Sequence, residues 1–282
     1  MTTEMLWLDG ARLAYDEQGS GAPIVLVHGA ATGPAAWGSV PGMLAQEHRV
    51  IRYDRRGFPR SGGSPTADAR RHVADLAAVL ERVARTPATL FGWSSGGNLA
   101  LALAAQRPDL VWSVVVLEAP FHGLRRPWNG LVPALLGAKI RQARGRRREA
   151  AAHFFRWVST RRSGGNSFDD APAEVRGDLL NCADAMLAEL NPHPSGILMH
   201  HVRAGDVAAC PVPLTWLLAE DSGPWYAQLH ADMQRRRPTL RTVRIERAGH
   251  FAVLDRPRAV ADAVREAVAD SPQAVRPARG HR

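Results

Sequence analysis

The stretch from Ala88 to Asn98, Ala-Thr-Leu-Phe-Gly-Trp-Ser-Ser-Gly-Gly-Asn, constrains the fold of this chain more than any other. A short apolar run, Ala88 to Phe91, leads into Gly92-Trp93-Ser94-Ser95-Gly96, and an alanine-rich helical segment follows from Asn98 to Gln106. The order is strand, sharp turn, helix. Because Gly92 and Gly96 carry no Cβ, strand and helix can approach closely while Ser94 sits at a strained backbone angle with its hydroxyl exposed. A serine inside the sheet could not reach a second molecule. The bland alternative is a plain Gly/Ser turn, and the flanking strand and helix signals favour the elbow.

The rest of the chain repeats the alternation. Met5 to Leu8 and Ala11 to Asp16 read as an opening hairpin around the turn pair Asp9-Gly10. Ile24 to Val27 is a continuous apolar run, the mark of a strand buried on both faces, and it ends in His28-Gly29-Ala30-Ala31. A glycine-containing loop there can aim a backbone N–H at a developing oxyanion, with Ala30 and Ser95 as the two donors. His28 reads as a structural histidine that holds this loop. Val50 to Tyr53 is the next strand, and the turn formers from Asp54 to Gly63 make an ordered loop in which Asp54 is a brace. Apolar residues at helical spacing from Thr66 to Val83 predict a crossover helix, and Val111 to Leu117 a further strand. The pattern implies a mainly parallel, doubly wound α/β sheet with helices on both faces.

These residues resemble the α/β-hydrolase fold superfamily. The carriers are His28-Gly29, Asp54-Arg55-Arg56-Gly57 with Ser61 following, Gly92-Trp93-Ser94-Ser95-Gly96-Gly97, and Ala248-Gly249-His250. The resemblance covers residues 5 to 120 and 208 to 268. It implies a serine nucleophile, a carboxylate and a histidine base in that chain order, with no cofactor. Serine at the elbow separates the chain from the branches that resemble dehalogenases and epoxide hydrolases. His250, in a loop after the strand-like Thr242 to Ile245, can swing over the carboxyl edge of the sheet towards Ser94. The triple His193, His200 and His201 has no regular ligand spacing, and no metal is expected. For the acid, Asp221 follows the strand Leu214 to Leu218 and is the first candidate. The family's usual glycine is replaced by Ala219 and the aspartate comes one residue early, so Glu118, at the end of Val114 to Leu117, stands as the alternative. Either could fix the imidazole tautomer.

Between Glu118 and Cys210 sheet signals cease. Leu131 to Ile140, Arg148 to Thr160 and Ala173 to Glu189 read as amphipathic helices, interrupted by Ser163-Gly164-Gly165-Asn166-Ser167. This is similar to the family's inserted helical cap. The expected organisation is a hydrolase core in residues 1–120 and 208–270, a cap in 121–207, and a disordered basic tail in 271–282. Trp93, Phe121, His122, Trp128, Phe155, Trp157 and Trp225 are the candidates for substrate contact, with Phe154 and Met186 as further cap residues. For each, core packing is the competing explanation.

Composition narrows the function classes. The formal charge is +9 over 282 residues, but the surplus is spread out and clusters only at Arg141 to Arg148 and Arg235 to Arg237. Solvated helix faces account for it, so neither nucleic acid nor membrane is expected as a partner. No segment has the run of about 20 apolar residues that a membrane span needs, and the N-terminus lacks a signal-peptide pattern. A cytoplasmic monomer or homodimer acting on a small molecule is the expectation, with Cys182 and Cys210 as buried thiols. The sequence reads as a serine hydrolase of a carboxylic ester, lactone or thioester. The rivals are an acyltransferase or lyase on the same scaffold and a silent ligand-binding domain.

Overall fold

Four apolar runs, Pro23–Val27 (β3), Ala88–Trp93 (β5), Val111–Leu117 (β6) and Leu214–Ala219 (β7), have no exposed residue and pair in parallel at the centre of one sheet. A strand covered on both faces needs apolar side chains on both, which is why these runs do not alternate. The computed structural model describes residues 2–33, 35–120, 130–193 and 204–271. The flanking strands are Glu4–Leu8 (β1), Ala11–Gln18 (β2), Arg49–Tyr53 (β4) and Arg241–Ile245 (β8). The eight-stranded order is β1-β2-β4-β3-β5-β6-β7-β8. Only the β1–β2 and β2–β4 pairs are antiparallel. The opening hairpin thus becomes an edge, and Gly10, at φ 68°, supplies the left-handed turn residue it needs.

Helices cover both faces. Ala69–Val79 (α1) starts at Asp68, whose carboxylate accepts from Arg70 N–H. Ser95–Gln106 (α2) is buried from Ser95 to Ala104 and packs on β5 and β6. Among the described residues, the longer helices inserted between β6 and β7 are Leu131–Ala143 (α3), Arg147–Val158 (α4), Ala173–Asn181 (α5) and Ala183–Glu189 (α6), with single turns at Ser167–Asp170 and Ala204–Ala208. Pro224–Arg236 (α7) and Pro257–Ala269 (α8) complete the core. Val260, Ala261, Val264, Ala267 and Val268 form the buried face of α8, a helical repeat legible in the sequence.

One helical expectation needs correction. The predicted single helix from Ala173 to Glu189 is broken at Cys182. There the thiol donates to Thr32 O at 3.0 Å and accepts from Thr32 N–H at 3.3 Å. Docking onto the loop after β3 bends the helix, a tertiary contact that periodicity does not record. Both cysteines are free and buried, as expected.

At the β5–α2 junction the backbone segments touch. A Cβ on Gly92 would lie 2.5 Å from Gly97 Cα, and one on Gly96 would overlap the carbonyl oxygens of Val27 and His28. Substitution Gly96→Ala is therefore expected to destabilise the fold by ~2 kcal/mol or more, since backbone cannot yield as a side chain can. Urea denaturation of the variant beside the wild-type chain measures this.

Candidate active site

Ser94 occupies the turn between β5 and α2 at φ 54°, ψ −129°, a conformation strained for any side chain. Its N–H donates to Leu117 O at 2.9 Å and its C=O accepts from Gly97 N–H at 2.8 Å, so both sides of the turn are tied to neighbouring backbone. The loop after β3 lies against it: a Cβ on Gly29 would meet Ser94 Cβ at 2.9 Å. Ser94 opens into a cavity also lined by Gly29, Ala30, Trp93 and His250.

His250 is 2% exposed, and its Nδ1 lies 2.8 Å from Glu118 Oε2. Glu118 is fully buried at the end of β6, at φ 49°. Its carboxylate also accepts from Ala219 N–H at 3.1 Å and from Ser222 Oγ–H at 2.8 Å. A buried carboxylate needs such donors, and here they come from the end of β7. With Nδ1–H donating to Glu118, Nε2 is left as the basic nitrogen. The imidazole stacks on Tyr226, with centroids 4.5 Å apart and planes 11° from parallel, and Trp93 Nε1–H donates to His250 O at 2.9 Å. Burial and the Glu118 charge push the Tyr226 phenol well above its ordinary value, so the ring stays neutral.

The first candidate for the acid is corrected by this geometry. Asp221 points away from His250 and accepts from Ser163 N–H at 2.8 Å and Ser163 Oγ–H at 2.6 Å. Arg162 N–H donates to Asp221 O at 2.8 Å, so the residue pins the 161–166 turn to the loop after β7. Ala219 at the end of β7 and Ser222 in the loop after it donate to Glu118, while the Asp221 carboxylate between them is taken by Ser163.

The predicted oxyanion loop is fixed from several sides. His28 Nδ1–H donates to Gly29 O at 2.8 Å and Nε2 accepts from Arg55 N–H at 2.9 Å. Burial, and then the Arg55 charge, hold this imidazole well below its ordinary value, so it is neutral and serves as a brace. Asp178 Oδ2 accepts from Ala35 N–H at 2.9 Å. Ser95 begins α2, where a helix leaves its first N–H groups without intrahelical acceptors. Asp54 braces its loop as predicted, with Arg60 bound to both of its oxygens at 2.7 and 3.1 Å.

The described residues enclose a cavity of about 210 Å³, with Leu131, Leu135, Phe154, Phe155, Trp157 and Leu190 on its apolar wall. Of the predicted contact residues, Trp93, Phe155 and Trp157 line it. Trp225 does not: it stands behind Trp157, with the rings stacked 5.1 Å apart. Met186 is core, and Phe121, His122 and Trp128 lie outside the described residues. Sequence reasoning passed over Tyr226, which neighbours the aromatic it selected. It also passed over Glu189, a carboxylate at the end of an amphipathic helix that reads as a surface residue. Glu189 instead lines the cavity, and its Oε1 is 2.6 Å from Arg55 Nη2. Among the described residues, no group of three His, Cys, Asp or Glu side chains is arranged to hold a metal, and no helix is long and apolar enough to cross a membrane.

An open, mostly parallel sheet with a strained serine at a central strand end and an acid–histidine pair at the same edge defines a class of protein. The chain belongs to the alpha/beta hydrolase family, whose model matches residues 24–263. It is 27% identical over 252 residues to the pimeloyl-(acyl-carrier protein) methyl ester esterase of Aeromonas hydrophila subsp. hydrophila, covering 87% of this chain and 95% of that protein. A Mycobacterium tuberculosis protein, named provisionally as a non-heme bromoperoxidase (BpoC), is 35% identical over 107 residues. That match covers 37% of this chain and 41% of the relative, so the chain spans less than half its length. A thermophilic esterase from Thermogutta terrifontis has the same fold, with a TM-score of 0.75, 22% identity, and coverage of 95% of this chain and 98% of the other.

Burial pushes the Glu189 carboxyl up from 4.5 to about 7, against the pull of the Arg55 charge and the Ser95 hydroxyl. Between those values the folded chain binds a proton that the unfolded chain releases. This group's contribution is therefore complete below about pH 4.5 and is lost as pH rises through 7. Wild-type protein should lose more stability between pH 5 and pH 8 than Glu189→Gln, measured by denaturant titration at both. Equal losses would contradict a raised carboxyl.

Proposed function

We propose that the chain is a serine hydrolase that cleaves a carboxylic ester, lactone or thioester of a small molecule through an acyl-enzyme. In this reading Ser94 Oγ attacks the carbonyl carbon while His250 Nε2 takes its proton. Glu118 holds the imidazole in the required tautomer and stabilises the imidazolium, and the N–H groups of Ala30 and Ser95 receive the oxyanion. His250 then returns the proton to the leaving group. Water, activated by the same nitrogen, releases the acyl product and restores the serine.

The observation that carries the reading is the shared cavity: a serine on a strained turn and a histidine bound through Nδ1 to a buried glutamate open into the same space. A purely structural serine would gain nothing from φ 54°, and His250 lines the same cavity. The apolar wall favours a substrate with a hydrocarbon portion next to the scissile bond. Similarity to a methyl ester esterase over most of both chains points the same way. A cavity of this size suits a small molecule or one acyl arm.

A fluorophosphonate probe should label the wild-type chain at Ser94 and leave Ser94→Ala unlabelled, read by intact-protein mass spectrometry. The absence of labelling in folded wild-type protein would overturn the mechanism. In p-nitrophenyl ester hydrolysis, Glu118→Ala should lower kcat by roughly 10²-fold to 10⁴-fold, as loss of the imidazole's partner does elsewhere. Asp221→Ala should change it by less than about threefold, because the carboxylate it removes is bonded to Ser163 in the 161–166 turn, while the backbone bond to Ala248 O is kept.

A further inference from the structure

Arg55 and Glu189 form an ion pair that the reaction above does not use. Arg55 lies in the loop after β4 with no exposed surface, its guanidinium 4.7 Å over the Phe58 ring. Glu189 closes α6 and is 3% exposed. Taking both charges out of water costs more than their attraction returns unless the site is well arranged, and an apolar pair of equal volume would serve folding as well. The location of the pair is therefore informative.

Arg55 Nη2–H donates to Gly29 O, the same atom that accepts from His28 Nδ1–H. Gly29 O belongs to the peptide unit whose N–H is that of Ala30. A cationic donor on the carbonyl draws electron density towards oxygen, which makes the N–H of the same planar unit a stronger donor. Two donors on one carbonyl also fix the plane of the peptide, and with it the direction of the N–H. Glu189 supplies the other half: from the inserted helices it holds the guanidinium at 2.6 Å and balances its charge. Ser95 also acts on the Glu189 carboxyl, lowering it against the effect of burial.

We propose that Arg55 is a positioning residue for the oxyanion hole, gripping Gly29 O so that Ala30 N–H is aimed and polarised towards the reacting oxygen, while Glu189 anchors the guanidinium from the inserted helices. The proposal rests on the reading of Ser94 and Ala30 given above. It makes the oxyanion hole dependent on the seating of α6 as well as on the core. A hydrolase with its inserted helices displaced would keep its serine and histidine but lose the alignment of one donor.

The test is a steady-state comparison on a p-nitrophenyl ester, with thermal melting and circular dichroism to establish folding. Arg55→Met/Glu189→Gln removes the pair without stranding a charge. Its kcat should fall by roughly 10-fold to 100-fold, somewhat less than the loss of an oxyanion donor itself, with KM within about threefold. Arg55→Lys, whose ammonium can still reach a carbonyl, should recover part of that kcat. If the double variant does not fold, Arg55→Lys alone carries the test, with kcat lowered by about fivefold and KM unchanged as the expected result. Unchanged kcat in the folded variants would overturn the proposal, as would a joint loss of kcat and melting temperature that lysine does not relieve. Wild-type protein that neither turns over the ester nor takes up a fluorophosphonate would overturn the hydrolase reading instead, so the two failures are distinct.

Discussion

Contact between backbones at the end of β5 is the constraint on which the remaining geometry depends. Three segments meet there: the strand at Gly92 against Gly97, the start of α2 at Gly96 against the carbonyls of Val27 and His28, and the β3 loop at Gly29 against Ser94 itself. A helix is normally held off a sheet by the side chains that fill the gap between them. With glycine at the contact the gap closes, and the chain must reverse within one residue. That residue, Ser94, carries the strain as a positive φ. The hydroxyl is thereby lifted clear of the sheet and set beside the peptide proposed to receive the oxyanion. One packing requirement thus brings the proposed nucleophile and donors together before any histidine or carboxylate is placed.

Placing the acid is a matter of satisfying a charge. Glu118 is fully buried, and a carboxylate there without donors would be costly or protonated. It receives Ala219 N–H and Ser222 Oγ–H from one segment and His250 Nδ1–H from another. The donors from the end of β7 and the loop after it hold it in one orientation, so the histidine is presented with a fixed partner rather than a swinging one. Tyr226 then limits the imidazole from its face. Rotation of the ring would break the Glu118 bond and the stacking together. The arrangement needs residues from β6, β7, α7 and the loop after β8, which is why no single motif contains it.

The difference between what the sequence disclosed and what it did not follows from this. Motifs whose residues contact each other locally were legible: the elbow glycines, the apolar strands, the β1–β2 turn at Gly10 and the amphipathic face of α8 all declare themselves within about a dozen neighbours. His250 was legible because its Ala248-Gly249 turn follows a strand. The acid was ambiguous because two strand ends each carry a carboxylate, and only the third dimension decides which one faces the histidine. Asp221 turned outward to Ser163, in a segment nearly sixty residues away in sequence. Glu189 was illegible for the opposite reason: its helix has a charged residue where a solvated face is expected, and its partner, Arg55, is more than a hundred residues earlier. Cys182 likewise broke a helix whose period gave no warning.

The inserted helices meet the core in two chemically different ways. Around the cavity the contact is apolar, through Leu135, Phe154, Phe155 and Trp157, whose burial is non-directional and tolerates sliding. At the loops after β3 and β4 it is polar and specific: Cys182 with Thr32, Asp178 with Ala35, and Glu189 with Arg55. Hydrogen bonds and ion pairs weaken over a few tenths of an ångström, so they define the register that the apolar wall leaves loose. All three polar ties fall on the loops that flank the proposed oxyanion donors, or on the residue that binds them. On the proposed mechanism, the wall would accommodate the substrate while the ties keep the reacting end fixed. On the mechanism proposed above, the buried charges contribute geometry at the reacting end, rather than stability that apolar side chains could have supplied.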